Sequence, residues 1–427
     1  MATHRLIMNW PHISLLVFLL SSSRAQGQES PRRLTLDQAL EIAEQNHPQL
    51  RAATAMVEGA KAGIVTARAY PNPELSIMSG GQYGRVSFNP PGPAGLLQHY
   101  SASQQLELPV VRRTRLAAAR VGQESSELVA LEVRRQVRGA VKQAFFEILR
   151  RQGEVQLTEE TLRFNEDLSR RVQVQVEVGE AAKLELTRAE SEVAIARTVA
   201  RSAQLRYLTA VSALRTAMNL PLGGDIEPVG QADAPALTPP LASLLEQTLK
   251  RHPAIAQAEA EVRRAEARVK AEIALRLPQP SVRTEYENQP DLRFFRLGVS
   301  IPMTFWNKRQ GPIAEARAGL DQARANADTR RLEIGGALER AYRAYEVSSQ
   351  QVASFEQGVL PGAEAAVAAA EAAFRFGERG IIEVLDAQRV LRSVRTDFLN
   401  ARFDRQAALI ELQQLQAIDI NLPGARP

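Results

Sequence analysis

Small and apolar residues recur from Leu186 at Ala189, Val193, Ala196, Ala200, Ala203, Tyr207, Ala210, Leu214 and Ala217. The steps alternate between three and four, which is the period of a coiled-coil seam. Moving 198 positions along the chain gives Val384, Ala387, Leu391, Val394, Phe398, Ala401, Arg405, Ala408, Leu412 and Leu415, where only Arg405 departs. The many alanines allow neighbouring helices to approach closely. An ordinary globular core is the competing reading, but a strict seam of this length exceeds what a core helix shows. A rod precedes each seam helix. Residues 113–178 are helix-like and contain no Pro, which at about 1.5 Å per residue predicts a length of roughly 100 Å. Residues 311–376 match that span, with a break expected at Gly358, Pro361 and Gly362.

A second pattern, strict alternation, appears in four short segments. In SVRTEYE, Val282, Thr284 and Tyr286 share one face and Arg283, Glu285 and Glu287 the other. In RFFRLGVSI, Phe295, Leu297, Val299 and Ile301 oppose Phe294, Arg296, Gly298 and Ser300. Tyr100, Ala102, Gln104, Leu106 and Leu108 likewise oppose His99, Ser101, Ser103, Gln105 and Glu107, and the fourth segment carries Leu75 and Ile77. Each segment is about nine to eleven residues long, the length of a tilted transmembrane strand with an apolar outside and a polar inside. Four strands cannot close a barrel, and an open sheet in lipid leaves its edge groups unsatisfied. If these strands span a membrane, several chains share one barrel; a four-stranded soluble sheet packed on helices is the alternative.

The two patterns occur twice because the chain is duplicated. At a shift of 205, Leu36, Leu40, His47, Pro48, Leu50 and Ala53 fall on Leu241, Leu245, His252, Pro253, Ile255 and Ala258. YPNPELS from Tyr70 matches LPQPSVR from Leu277, Leu108-Pro109 matches Ile301-Pro302, and VGEAAKLEL from Val178 matches FGERGIIEVL from Phe376. The recurring His-Pro pair punctuates the repeat. Pro disfavours helical geometry in the residue before it, so a short helix ends at His47 or His252. Pro48 and Pro253 then occupy a first helical position, where a missing N–H costs nothing. The expected organisation is a secretory signal at 1–25 and a first repeat at 26–230, with strands near 73–81 and 99–108 and long helices at 113–178 and 182–218. The second repeat follows at 231–427, with strands near 280–287 and 293–302 and long helices at 311–376 and 381–417.

Composition narrows the function classes. Arg5 precedes an apolar run from Ile13 to Leu20, and Ser23 and Ala25 supply the small residues of a cleavage site expected after Ala25. That run is too short to span a bilayer as a helix, and no longer one follows. The chain has no Cys, which excludes disulfides, thiolate metal sites and a lipidated Cys. About a quarter of the residues are charged and the signs are interspersed, which reads as solvated helix surface and not as a nucleic-acid footprint. After the signal only His47, His99 and His252 remain as imidazoles, so neither a metal site nor another cofactor is expected. No Ser/His/Asp set, phosphate loop or metal motif suggests an enzyme.

With its duplication, His-Pro junctions, strand pairs followed by LP or IP and Gly-containing tips, the chain resembles the outer membrane factor family of Gram-negative bacteria, the TolC-like efflux channels. FGERGIIEVLDAQRVL and VLPGAEAAVAAAEAAFRFG resemble that family at the second helical tip. The overall flavour is closest to its cobalt-zinc-cadmium resistance branch. The resemblance covers about residues 34–415 and implies a mostly α fold with a small transmembrane β part. Three chains would form a 12-stranded outer-membrane barrel continued by a periplasmic α-helical coiled-coil barrel. It further implies a homotrimer in outer-membrane lipid that extends into the periplasm. Its partners would be a periplasmic adaptor (membrane fusion protein) and an inner-membrane pump of the resistance-nodulation-division type, with metal ions or small toxic molecules as cargo. A secreted coiled-coil scaffold without a pore is the alternative.

The same resemblance implies a gate at the periplasmic end, carried by Arg379, Glu383 and Asp386, with Glu185 as the acidic match in the first repeat. Glu383 and Asp386 lie three apart and share a helix face. Each stands one residue before a seam position, and threefold repetition would make two negative rings favouring cations. An Arg379–Glu185 link is expected. Solvated carboxylates near a helix N-terminus are the simpler reading. Val178, Gly179 and Glu180, with Phe376, Gly377 and Glu378, are candidate adaptor contacts, although Gly at a helix end also has a purely structural use.

Overall fold

The computed structural model describes residues 32–83, 93–221, 226–230 and 239–417; the expected signal segment lies outside them. Strand β1 (Arg32–Leu34) leads into α1 (Leu36–Asn46) and α2 (Pro48–Arg68). Strands β2 (Glu74–Gln82) and β3 (Gly95–Gln105) follow, then the rod α3 (Pro109–Glu177), the returning helix α4 (Lys183–Met218) and β4 (Ile226–Pro228). The second repeat runs through α5 (Leu241–Arg251), α6 (Pro253–Ala274), β5 (Ser281–Asn288) and β6 (Arg293–Ser300). It continues with α7 (Gln310–Ser354), a π-helical turn (Phe355–Val359), α8 (Leu360–Arg375) and α9 (Ile381–Gln416).

The rod α3 has 69 residues and begins at Pro109, four residues before the helix-like run read from the sequence. Pro109 opens it at the first helical turn for the reason that applies at Pro48. The second rod is interrupted. Pro361 has no N–H and its ring crowds the carbonyl four residues back, and the helix widens just ahead of it into the π turn, where Leu360 N–H donates to Phe355 O.

Both seams face inward. Ala189, Ala196, Ala203, Ala210 and Leu214 are buried on α4, and Val384, Leu391, Ala401, Ala408 and Leu412 on α9. The principal core sits near mid-length, where Phe145, Ile148, Val141, Leu214 and Met218 close around Leu34 and Leu40. Leu34 reaches it from a short parallel pairing of β1 with β4, in which Arg32 stands beside Ile226 and Leu34 beside Pro228. These three-residue strands carry no alternating pattern, and the sequence gives no sign of them. A second core joins Leu244 of α5 to Leu338, Tyr345 and Leu412.

At each His-Pro junction the imidazole caps the helix it precedes. His47 Nδ1 accepts from Gln49 N–H at 3.3 Å, and His252 Nδ1 accepts from Ala254 N–H at 3.1 Å. Each thereby satisfies one of the donors left over at a helix start. Thr35 and Gln38 form a capping box on α1.

Candidate gate and membrane-facing sheet

The strands form one antiparallel sheet in the order β2-β3-β5-β6. Its register keeps like faces together. Leu75 pairs with Ala102, Ile77 with Tyr100, Tyr100 with Tyr286, Val282 with Val299, Thr284 with Leu297 and Tyr286 with Phe295. This gives a continuous apolar face, on which Phe295 and Leu297 are each 68% exposed. The other face is polar and cross-linked by charge. Arg296 lies 3.2 Å from Glu287 and 3.6 Å from Glu285, Arg283 lies 3.6 Å from Glu285, and His99 lies 3.8 Å from Glu287. Within the chain β2 and β6 pair on one side only. Such long, apolar open edges are a liability unless another chain pairs with them.

At the opposite end of the rods the two hairpins turn in the same way. Gly179 and Gly377 adopt φ of +82° and +72°, the left-handed region. Glu180 N–H donates to Gln175 O and Gly179 N–H to Val176 O; Glu378 N–H donates to Ala373 O and Gly377 N–H to Phe374 O. Both are Schellman endings. Val178 and Phe376 stand exposed beside them, Phe376 by 77%. The glycines therefore have a structural duty, and the exposed neighbours are the part of the tip open to a partner.

The candidate gate residues lie just inside these turns. Glu185 opens α4 and Glu383 opens α9. A Cβ placed on Gly380 would lie 3.7 Å from Glu185 Oε1 and 3.7 Å from Glu383 Oε2, so the two carboxylates converge over this glycine. The expected Arg379–Glu185 link is replaced within the chain by Arg379–Glu383 at 3.8 Å, one helical turn away and solvent-exposed. Asp386 is held at 3.3 Å by Arg389.

Arg389 is the residue that sequence reasoning missed. Its guanidinium also bonds Glu192 on α4, so one side chain ties the second hairpin to the first. Glu192 is buried, and its backbone carbonyl accepts from Asn165 Nδ2 at 3.4 Å. The Arg389 pKa is raised, chiefly by the hydrogen bond to Glu192. Glu192 stands one residue before the seam position Val193, as Glu185, Glu383 and Asp386 stand before theirs, and that rule would have found it. Below this link Leu168, Val172, Ala189, Ile381, Val384 and Leu385 form the apolar core of the tip. Beside it a cleft of about 360 Å³ between α3 and α8 is lined by Phe164, Asp167, Arg171, Glu371 and Arg375 among others. Among the described residues no cluster of His, Asp or Glu could hold a metal ion, and no helix is long and apolar enough to cross a membrane.

A duplicated chain with an amphipathic sheet at one end of long rods and paired carboxylates at the other has the architecture of an outer-membrane efflux channel protomer. The chain belongs to the outer membrane efflux protein family, whose sequence profile matches residues 39–220 and 244–417, one stretch per repeat. It is 27% identical over 384 residues to the cobalt-zinc-cadmium resistance protein CzcC of Cupriavidus metallidurans, covering 87% of each chain. It is 25% identical over 426 residues to the toluene efflux pump outer membrane protein TtgC of Pseudomonas putida, covering 94% of this chain and 88% of that one. Its fold matches CusC with a TM-score of 0.76 at 20% identity, over 92% of this chain and 95% of the other. It also matches the Campylobacter jejuni CmeC outer membrane channel with a TM-score of 0.75 at 16% identity, over 96% and 94%.

Proposed function

We propose that the chain is the passive exit duct of a tripartite efflux system, working as a homotrimer in the outer membrane of a Gram-negative bacterium and directed there by a signal at 1–25. The carrying observation is the four-stranded sheet, with one apolar face, one charged face and two open edges. Three copies supply twelve strands to a barrel without edges, which is the way such a sheet survives in lipid. The rods then reach about 100 Å into the periplasm. A periplasmic adaptor takes the tips at Val178 to Glu180 and Phe376 to Glu378, and an inner-membrane pump of the resistance-nodulation-division type loads the duct. Similarity to proteins named for cobalt-zinc-cadmium resistance and for toluene efflux supports metal ions or small toxic molecules as cargo. Selectivity is assigned to the pump upstream.

The gate is Glu185, Arg379, Glu383 and Asp386. The carboxylates repeat three times around the axis, favour cations and narrow the pore, and Arg379 limits their repulsion. In planar bilayers Arg379→Ser is expected to raise single-channel conductance by loosening this ring; unchanged conductance removes Arg379 from the gate. Membrane fractionation tests the reading as a whole. An integral channel needs detergent for release, whereas release by salt alone identifies a peripheral scaffold.

A further inference from the structure

The cleft of about 360 Å³ between α3 and α8 opens beside the apolar core of the tip. Its volume lies in the range of small-molecule sites, and so does its lining, an apolar floor with a few polar groups. Leu168 and Val384 in that floor belong to the buried core, and Phe164 and Phe374 pack against it half-buried. The rim is charged, and unevenly so. Asp167 is paired with Arg170, one helical turn away. Arg171 on α3, with Glu371 and Arg375 on α8, lines the same cleft, and among the described residues none of these three has a hydrogen-bond or ion-pair partner. Two open guanidinium groups therefore stand against one open carboxylate.

The other large groove of the rods is different. It measures about 1100 Å³, lies between α3, α6 and α7, and is also lined by arginines, but each of them is committed to a carboxylate. Arg115 holds Glu107, Arg264 lies 3.5 Å from Glu261, Arg268 lies 3.4 Å from Glu315 and Arg330 lies 3.0 Å from Glu333. The cleft at the tip alone of the two keeps guanidinium forks open on both walls of an apolar floor. That arrangement suits a molecule with a carboxylate or sulfonate head and an apolar body. A bare inorganic anion gains nothing from the two rings, and a cation meets the wrong excess of charge.

We propose that the cleft binds a small amphipathic anion of the aryl carboxylate or aryl sulfonate class, with its ring on Phe164, Leu168, Phe374 and Val384 and its acid group between Arg171 and Arg375. Arg171 belongs to the first hairpin and Arg375 to the second. An anion shared between them clamps the two hairpins close to the Arg389–Glu192 link. Val384 in the floor follows Glu383 of the candidate gate, so occupancy holds the tip narrow. The binding rests on the cleft alone; the clamp rests on the channel reading.

The test titrates the full chain with naphthalene sulfonate by calorimetry and records conductance in planar bilayers from the same preparation, with the probe added on the side of the tips. Saturable binding at one molecule per chain is expected, together with a fall in conductance that follows occupancy. Naphthyl methanol, which keeps the body and lacks the charge, and sulfate, which keeps the charge and lacks the body, should each bind about tenfold more weakly or worse. Arg171→Gln and Arg375→Gln should each weaken the sulfonate by about the same factor. Glu371→Gln removes the opposing charge and should tighten it, which a damaged fold would not do. A conducting preparation without saturable binding overturns the site and leaves the channel standing, as it would if a neighbouring copy filled the cleft. Binding that both arginine variants retain in full places the probe elsewhere and also overturns the site. Saturated binding with unchanged conductance overturns the clamp. Binding by a preparation that never conducts overturns the channel reading and leaves the site.

Discussion

His252 is 2% exposed and neutral by necessity. Its Nδ1 must be unprotonated to accept from Ala254 N–H, and burial together with the Arg135 charge lowers its pKa to about 4, with Glu132 opposing and Arg330 assisting. An unfolded chain holds the same imidazole at the ordinary value of 6.5. Between these values the unfolded state binds a proton that the folded state refuses, so the contribution is complete above pH 6.5 and is lost as pH falls toward 4. The difference corresponds to on the order of 3 kcal/mol per protomer. Asn at 252 offers a carbonyl oxygen to the same cap without titrating. His252→Asn should therefore flatten the acid-side fall in the thermal midpoint of the detergent-solubilised protein, whereas His252→Ala should lower it at neutral pH by about 1 kcal/mol of lost capping. An unchanged acid slope in His252→Asn would assign the slope to other groups. The His-Pro repetition was legible in the sequence, and so was the role of Pro. The inequality of the two histidines was not, because His47 is half-buried and His252 fully so, and burial depends on what packs across the junction.

At the scale of elements, periodicity carried the most information. The seams were legible because a helix must repeat its apolar positions every three or four residues to stay against a neighbour, and the strands because a sheet must alternate. Contacts made by long side chains between distant elements leave no such trace. Arg379, in the turn before α9, lies close enough to Glu383 in the first turn of that helix to pair locally, while Arg389 extends to Glu192, 197 positions away, because the two hairpins lean together at the tip. That link ties α9 to α4 beside the candidate gate. Replacing Arg389 by Ala leaves the buried Glu192 carboxylate without its cation, at a cost of about 1–3 kcal/mol, and is expected to raise both single-channel conductance and the rate of amide exchange around residues 381–385. Glu192→Gln in the same chain should restore part of both, since it removes the charge left stranded. Additive effects of the two changes would show that the residues act independently.

For the molecule as a whole, the duplication specifies how copies should meet. In the chain, the second strand of the first repeat, β3, pairs with the first strand of the second repeat, β5, placing Ser103 beside Arg283 and Gln104 beside Val282. On the proposed trimer, the next contact around the ring would have the same character, between β6 and the β2 of a neighbouring copy. The repeat alignment carries Tyr70 onto Leu277, and so Glu74, where β2 begins, onto Ser281, where β5 begins. Within the hairpins Glu74 pairs with Ser103 and Ser281 with Ser300, so Ser103 transfers to Ser300 and Arg283 to Ser76. The outcome is chemically consistent. Val299 meets Ile77 on the apolar face, while Ser300 meets Ser76 on the polar one. Facing residues on neighbouring antiparallel strands have Cα atoms about 4.5–5.5 Å apart, within disulfide reach, and the chain has no Cys to interfere. Ser76→Cys with Ser300→Cys should therefore oxidise to covalent dimers and trimers on a denaturing gel, with nothing larger. Ser76→Cys with Arg296→Cys places the thiols four residues out of register, too far to bridge, and should stay monomeric. Cross-linking of the second pair in place of the first would shift the inter-copy register, and a ladder beyond three copies would mean that the sheet does not close as a trimer.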